Sequence, residues 1–523
     1  MPVDDIFSRL ARIAERDASR PALVMADGAV TTYGELFDGA EALAHGLAAR
    51  GLLPGDRVAF LCANRPEFVT GYLAVLRCGA AMLPINLAYR RREVAHMLAD
   101  ATPRMVFGGR TELAVLDELE PAEKVSVEAV IDLGDLARWR QAGRDHGLAP
   151  GAGASGAGGA HPLPDTALLL YTSGTTGRSK GAMISHRNLL AMIDALHRAW
   201  EWRAEDSLYL ALPLFHMHGL VVGLHCALAA GAAVELAPKF DATAAIEALR
   251  SGRHSLFFGV PTLYVRLVEE LNRRRAEGQD TTFPAVRLFA SGSAPLAPET
   301  WSAFLELTGH SILERYGMTE TGMLLSNPLH GRRIPGTVGT PLPGVELRLI
   351  GPEGEGDSGE VQVRGANVFE GYWNAPEKTP ESFVEDDRGR RWFKTGDLAR
   401  RDPDSGHIAL LGRSSELILS GGFNVYPREV EEVLLTCTGV REAAVVGEPN
   451  AEWGESPVAF LVAEAPSAPP DAEALSAHCR RELAPFKLPR RFVFVDALPR
   501  NALGKVEKRR LLSELQSAPG PKA

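Results

Sequence analysis

The 523-residue chain has little cysteine. Cys62, Cys78, Cys226, Cys437 and Cys479 are scattered, with no CxxC pair among them. That excludes a disulfide framework and a zinc site of the usual spacing, and it suits a reducing compartment, so a cytoplasmic protein is expected. There is no basic excess. The formal net charge is −10, which argues against a dedicated nucleic-acid binder. Long hydrophobic runs are missing too. The most apolar stretch, Gly219 to Ala237, is interrupted by His225 and Glu235 and dominated by small residues. It reads as a buried helix leading into a strand, and no membrane span is expected. The N-terminus mixes acids and bases, so it has neither the apolar core of a secretory signal nor the acid-poor composition of a mitochondrial presequence. No repeat with a period of 20–50 residues is found.

What is present is an ordinary globular composition, 45% apolar and 23% charged, on a chain long enough for two or three domains. A buried strand at Arg57 to Leu61, a helical run from Glu67 to Arg77 and a strand at Ala81 to Ile85 set a βαβ rhythm. It recurs in strands at His254 to Val260 and Val286 to Ala290 and a helix over Pro298 to Leu307. The fold class is therefore α/β, with layered, largely parallel sheets in a large N-terminal body. From Val345 the texture turns to short strands and turns, which predicts a β-rich subdomain, and after Leu411 a smaller α/β segment begins. Gly147 to Pro164 is Gly, Ala and Pro with almost no charge and reads as an internal surface excursion.

The sharpest local signal follows the apolar run Ala167 to Leu170. Thr172, Ser173, Gly174, Thr175, Thr176, Gly177 and Lys180 combine glycines that let backbone N–H groups approach phosphate, hydroxyl donors, and a cation. The Walker pattern GxxxxGK[ST] is not met, because Ser179 stands where its second glycine belongs. A phosphate loop of another type is one reading, and a plain Ser/Gly surface loop is the other.

The segment YTSGTTGRSKGAMISHRNL resembles the signature of the AMP-forming acyl-CoA synthetase superfamily, which also holds luciferases and peptide-synthetase adenylation domains. Further motifs of that superfamily follow in order over nearly the whole chain. They are Thr32 to Leu36, Pro213 to His216, Ser291 to Pro295, Tyr316 to Thr321, Thr395 to Asp397, Gly412-Arg413, Ser420 to Glu429 and Pro499 to Lys505. The resemblance implies a body over residues 1–412 and a small mobile α/β domain over 413–523, hinged near Ser415, where relatives carry Asp or Lys. It implies ATP, Mg2+ and coenzyme A as cofactors or co-substrates. Glu320 would be the Mg2+ ligand, with the Thr319 hydroxyl on a phosphate. Asp397 and Arg413 would hold the ribose, Tyr316 would stack on adenine, and Gly292, Ser293, Ala294 and Pro295 would line that base. Ser420, Gly421 and Gly422 would face the pantetheine.

Lys505 would stabilise charge developing between the substrate carboxylate and the α-phosphate, and a protein acyltransferase acting on it would switch that half-reaction off. From Arg480 to Arg510 there are ten Lys/Arg against three Asp/Glu, a charge suited to CoA and ATP phosphates as well as to a solvated face. Phe215 and His216 occupy the position where amino-acid-activating relatives carry an Asp, so they would line an acyl channel. Val-Pro-Thr-Leu-Tyr-Val-Arg266, Ala237 to Phe240 and Ser291 to Leu296 resemble bacterial malonyl-CoA synthetases, in which Arg266 and Ser291 would hold the distal carboxylate of malonate. The i, i+4, i+8 spacing of Leu263, Leu267 and Leu271 predicts the core face of that helix. The expected function is ligation of malonate or methylmalonate to CoA. The alternatives are a medium- or long-chain acyl-CoA synthetase, an acyl-AMP ligase loading a carrier protein, and a catalytically silent scaffold.

Overall fold

The computed structural model describes residues 5–146, 165–172, 179–420, 423–450, 454–501 and 504–517. The chain falls into two compact units, residues 1–346 with 364–393, and residues 347–363 with 394–523. The second unit thus takes in strands upstream of Arg413. The Gly/Ala-rich stretch at 147–164 lies outside the described residues.

The first unit carries two sheets. In one, the strands Leu256–Gly259, Leu288–Ser291, Ser207–Leu210, Ala233–Leu236 and Leu313–Met318 pair in parallel, and antiparallel strands close the edges. Every residue of Leu256–Gly259 and Leu288–Ser291 is buried, as expected of parallel strands covered on both faces. The second sheet pairs Arg57–Leu61 in parallel with Ala81–Pro84 and Met105–Gly108, and continues through the antiparallel hairpin Thr166–Thr172 and Lys180–Ser185 to the edge strand Gly371–Tyr372. Between its first two strands runs the helix Pro66–Arg77, opened by proline at its first position, where no N–H is needed.

The Gly219 to Ala237 stretch is a π-helical segment His218–His225, a short helix Cys226–Ala230 and the strand Ala233–Leu236, so it is interior structure. Among the described residues no helix is long and apolar enough to cross a membrane. In the helix Pro261–Ala276 the core face is Tyr264, Leu267, Leu271 and Arg274. Two of the three residues of the predicted stripe, Leu267 and Leu271, are buried. Leu263 is only half-buried, because the 3.6-residue period turns Tyr264 inward in its place.

In the second unit the antiparallel strands Gly354–Gly356, Glu346–Gly351 and Ser358–Arg364 lead to Arg391–Arg401, which pairs with Ile408–Arg413. A further sheet pairs Val440–Asn450 with Gly454–Ala463, and the latter runs parallel to Arg491–Phe494. Pro427–Leu435 and Ala472–Glu482 cover it with a core of Val430, Leu434, Val445, Leu461, Leu475 and Cys479.

Candidate active site

Of the phosphate-loop residues, 173–177 lie outside the described residues, and the structure defines the loop's two anchors. Thr172 and Lys180 are register partners at the loop end of the hairpin. The Thr172 hydroxyl donates to Glu320 Oε1 at 3.3 Å, and Tyr372 donates its phenol to the same oxygen at 3.0 Å. Lys180 Nζ stands 5.3 Å from the centroid of the Tyr372 ring, close enough for a cation–π contact. The phosphate loop and the motif Tyr316 to Thr321 thus converge on one buried carboxylate, Glu320, which is 5% exposed. Tyr372 was not among the expected site residues. It sits on a two-residue edge strand, Gly371–Tyr372, too short to leave a periodic signal.

The backbone at Glu320 is held tightly. Gly317 faces the turn back into Gly322–Ser326, and a Cβ there would lie 2.0 Å from the Gly322 carbonyl oxygen. Tyr316, in the same strand, is 8% exposed.

Thr319 lines a narrow cleft with His216, Phe215, Met217, Tyr171 and Asn86. The structure therefore brings together the expected acyl-channel pair and the expected phosphate contact. His216 Nε2 is buried with no hydrogen-bond partner, and burial pushes the imidazole down to about 4, so the ring is neutral at ordinary pH. A neutral, unpartnered ring can donate or accept one hydrogen bond to a substrate.

Arg266 is not brought to that cleft. It is exposed on its helix and lines a separate surface hollow with Asp241, Glu269 and Arg273. Ser291 is fully buried at the end of its strand, with Oγ unpartnered. The turn Gly292 to Pro295 follows, with Ser293 held at φ 73° in the left-handed region.

Asp397 and Arg413 lie in the second unit as direct partners across an antiparallel pair, joined at 2.7 Å, and Arg413 also donates to the Thr395 carbonyl at 3.0 Å. Ser414 and Ser415 form the exposed turn that follows. Lys505 sits in a turn pinned from both sides by Asn501, whose N–H donates to the Lys505 carbonyl and whose side chain accepts from the Lys505 N–H. Lys505 is solvent-exposed as a residue, yet its ammonium is partly dehydrated. That dehydration, then Arg413, holds its pKa below the ordinary lysine range against Glu416 and Asp397. Ser420, itself buried, ends the strand Ile418–Ser420, and Gly421 and Gly422 lie outside the described residues.

Residues 10–373 match the AMP-binding enzyme family, and residues 429–505 match the AMP-binding enzyme C-terminal domain. The chain belongs to the AMP-binding enzyme family. It is 33% identical to the mitochondrial malonate–CoA ligase ACSF3 of Xenopus laevis, over 97% of this chain and 91% of that protein. It is 36% identical to the sulfoacetate–CoA ligase of Cupriavidus necator, over 97% and 98%. Among solved structures it is similar to ATP-bound MatB from Rhodopseudomonas palustris, with a TM-score of 0.86 and 37% identity, covering 98% of this chain and 99% of that one. The protein is an AMP-forming acid–CoA ligase using ATP and CoA.

The donor set of this AMP-binding enzyme fits Mg2+. Glu320 is a hard oxygen ligand beside two hydroxyls, and among the described residues no group of three or more His, Cys, Asp or Glu forms a cage. One carboxylate completed by phosphate oxygens and water is how Mg2+ is usually held next to a nucleotide. Glu320 would hold the ion, which when bound neutralises phosphate charge.

Proposed function

We propose that this ligase activates malonate, or a short acid with a second anionic group such as methylmalonate, and transfers it to CoA. The observation that carries the reading is near-full-length likeness to a malonate–CoA ligase and a sulfoacetate–CoA ligase, two enzymes named for short acids with a second anionic group. In the first step a carboxylate oxygen attacks the α-phosphorus and pyrophosphate leaves. In the second, the CoA thiolate attacks the acyl carbon and AMP leaves. Both steps join or separate anions, so positioning and cationic screening dominate the barrier.

Lys180 and the loop after Thr172 hold the phosphates, Thr319 hydrogen-bonds one of them, and Asp397, oriented by Arg413, accepts from the ribose hydroxyls. Tyr316 packs on adenine beside the turn Gly292 to Pro295, and Lys505 screens the charge between carboxylate and α-phosphate. His216, neutral and unpartnered, hydrogen-bonds the acid. Ser420 leads into the glycines that admit pantetheine, and the mobile domain begins at Arg413. Five free cysteines support a cytoplasmic or similarly reducing location. Acylation of Lys505 by a protein acyltransferase would remove its charge.

Pyrophosphate release measured across malonate, methylmalonate, acetate, octanoate and palmitate, with and without CoA, tests the reading. Malonate or methylmalonate is expected to give the highest kcat/KM. Robust palmitate turnover with none on the diacids overturns it.

A further inference from the structure

The helix Arg91–Ala101 contacts both stems of the phosphate loop. His96 and Asp100 stand one turn apart on its face. On the stem before the loop, Tyr171 donates its phenol to the Asp100 carboxylate. On the stem after it, His96 Nε2 lies 3.0 Å from the Ser179 carbonyl oxygen. The His96 and Tyr171 rings meet edge to face, with centroids 6.1 Å apart. The backbone carbonyl of Asp100 is among the last four of its helix, which lack intrahelical partners. It accepts from Trp373 Nε1 at 2.9 Å and from Asn374 Nδ2 at 3.0 Å. Arg57 donates to the next two carbonyls, of Ala101 at 2.9 Å and Thr102 at 3.0 Å, and so closes the same helix end.

Strand alternation connects this helix end to Glu320. Successive side chains of a strand point to opposite faces of the sheet. Tyr171 and Trp373 turn toward Asp100, and their neighbours Thr172 and Tyr372 turn to the other face, where both donate to Glu320 Oε1. The row on the helix side is continuous. Tyr171 is the register partner of Gly181, and the Trp373 N–H donates to the Gly181 carbonyl at 2.7 Å. Gly181 has no side chain where a Cβ would fall 3.2 Å from the Tyr171 ring, which leaves the phenol its place. Burial, then Asp100, raises the Tyr171 pKa far above the ordinary tyrosine range, so the phenol stays a donor. Packing of helix on sheet does not require this polar contact, since Val94, Met97 and Leu98 already bury the helix's apolar face.

We propose that Asp100 is a positioning residue for ATP: it fixes Tyr171 and Trp373 on one face of the sheet, and thereby sets Thr172 and Tyr372 against Glu320 on the other. The proposal rests on the reading that the loop after Thr172 and Glu320 hold the ATP phosphates and their Mg2+. Asp100 itself touches no nucleotide. A phenol donating to a carboxylate makes a charge-assisted bond, stronger than one between neutral groups. A stem fixed in advance leaves less ordering to be done when ATP binds, and that gain appears as affinity.

The test is ATP binding by titration calorimetry, with Mg2+ and without acid, on the full-length chain. It compares wild type, Tyr171→Phe, Asp100→Ala, Asp100→Asn, the double variant Tyr171→Phe with Asp100→Ala, and Lys180→Ala, with KM for the acid and for CoA measured alongside. Tyr171→Phe and Asp100→Ala are each expected to weaken ATP binding about tenfold, the scale of one hydrogen bond to a charged group. The double variant should lose no more than either, because both remove the same bond. Asp100→Asn keeps an acceptor and should recover most of the affinity. KM for the acid and for CoA should not move, whereas a merely structural role would shift them together with ATP. With ATP binding weakened in Lys180→Ala, three results overturn the assignment: unchanged ATP affinity in Tyr171→Phe and Asp100→Ala, an Asp100→Asn as weak as Asp100→Ala, or equal losses on ATP, acid and CoA. A Lys180→Ala that binds ATP like wild type overturns the phosphate-loop reading itself, and the positioning role falls with it. Should Asp100→Ala fail to fold, Tyr171→Phe, which lacks only one hydroxyl, decides alone.

Discussion

Arg413 Nε lies 2.7 Å from Asp397 Oδ1, and the two residues are direct partners across neighbouring antiparallel strands. The Thr395 side chain accepts from the Asp397 N–H and donates to the Val361 carbonyl, so the carboxylate is fixed from the backbone side as well. One oxygen is oriented by the guanidinium. Asp397→Asn preserves the shape and removes the charge. The KM for ATP is expected to rise about tenfold, as for one charge-assisted hydrogen bond, with little change in melting temperature because the pair is partly exposed. An unchanged KM for ATP contradicts the ribose role.

Lys505→Ala separates the half-reactions. Acid-dependent pyrophosphate release should fall by about 100- to 1000-fold, the scale of losing one preorganised charge at a reacting centre. Thioester formation from supplied acyl-AMP should persist. Loss of both half-reactions to the same extent assigns the lysine a structural role instead.

The depressed pKa of Lys505 has a pH signature. Screening needs the protonated ammonium, so adenylation should fall as pH rises through the lowered value, earlier than an unperturbed lysine would allow. Lys505→Arg, which cannot lose its proton in that range, should abolish this alkaline limb even if its rate is lower. A pH–rate profile of the adenylation step checks this, and an alkaline limb unmoved by the substitution contradicts it.

Gly317→Ala should damage stability and nucleotide binding together. Its Cβ would meet the backbone carbonyl of Gly322, which cannot swing aside as a side chain can. Forcing the strand apart is expected to cost about 1–3 kcal/mol, the usual scale for overpacking, and to displace Glu320 three residues on. Thermal melts and ATP binding on the same preparation read both effects.

Tyr372→Phe removes one donor from Glu320 while keeping the ring near Lys180. The KM for Mg2+–ATP should rise about tenfold at most, since a hydrogen bond to a charged group is lost and its acceptor keeps Thr172. A Mg2+ titration at fixed ATP distinguishes this from a loss of folded protein.

The sequence made the α/β class legible because strands such as Arg57–Leu61 and Leu256–Gly259 are continuous apolar runs, and it made the site legible wherever a motif is local, as at Thr395 to Asp397. Side-chain environment was harder to read. The spacing Leu263, Leu267, Leu271 identified the right helix but missed Tyr264, which shares its buried face. Arg266 is exposed and Arg315, in the strand Leu313–Met318, is buried, yet each lies within two residues of a tyrosine in the chain. What separates them is Gly292 and His218, brought to Arg315 by strand order and a π-helical turn, and no local pattern records that packing. Tyr372 was missed for the same reason, since it meets Glu320 only through the pairing of a two-residue strand with Lys180–Ser185.

The central claim is an acyl-adenylate formed by attack of the acid's oxygen on the α-phosphorus. Malonate labelled with oxygen-18 in its carboxylates, turned over with ATP, Mg2+ and CoA, tests it most directly. The account predicts one labelled oxygen in AMP for each malonyl-CoA formed, since that oxygen leaves with the phosphate when the thiol attacks. Unlabelled AMP, or label in inorganic phosphate with ADP as the nucleotide product, would contradict it.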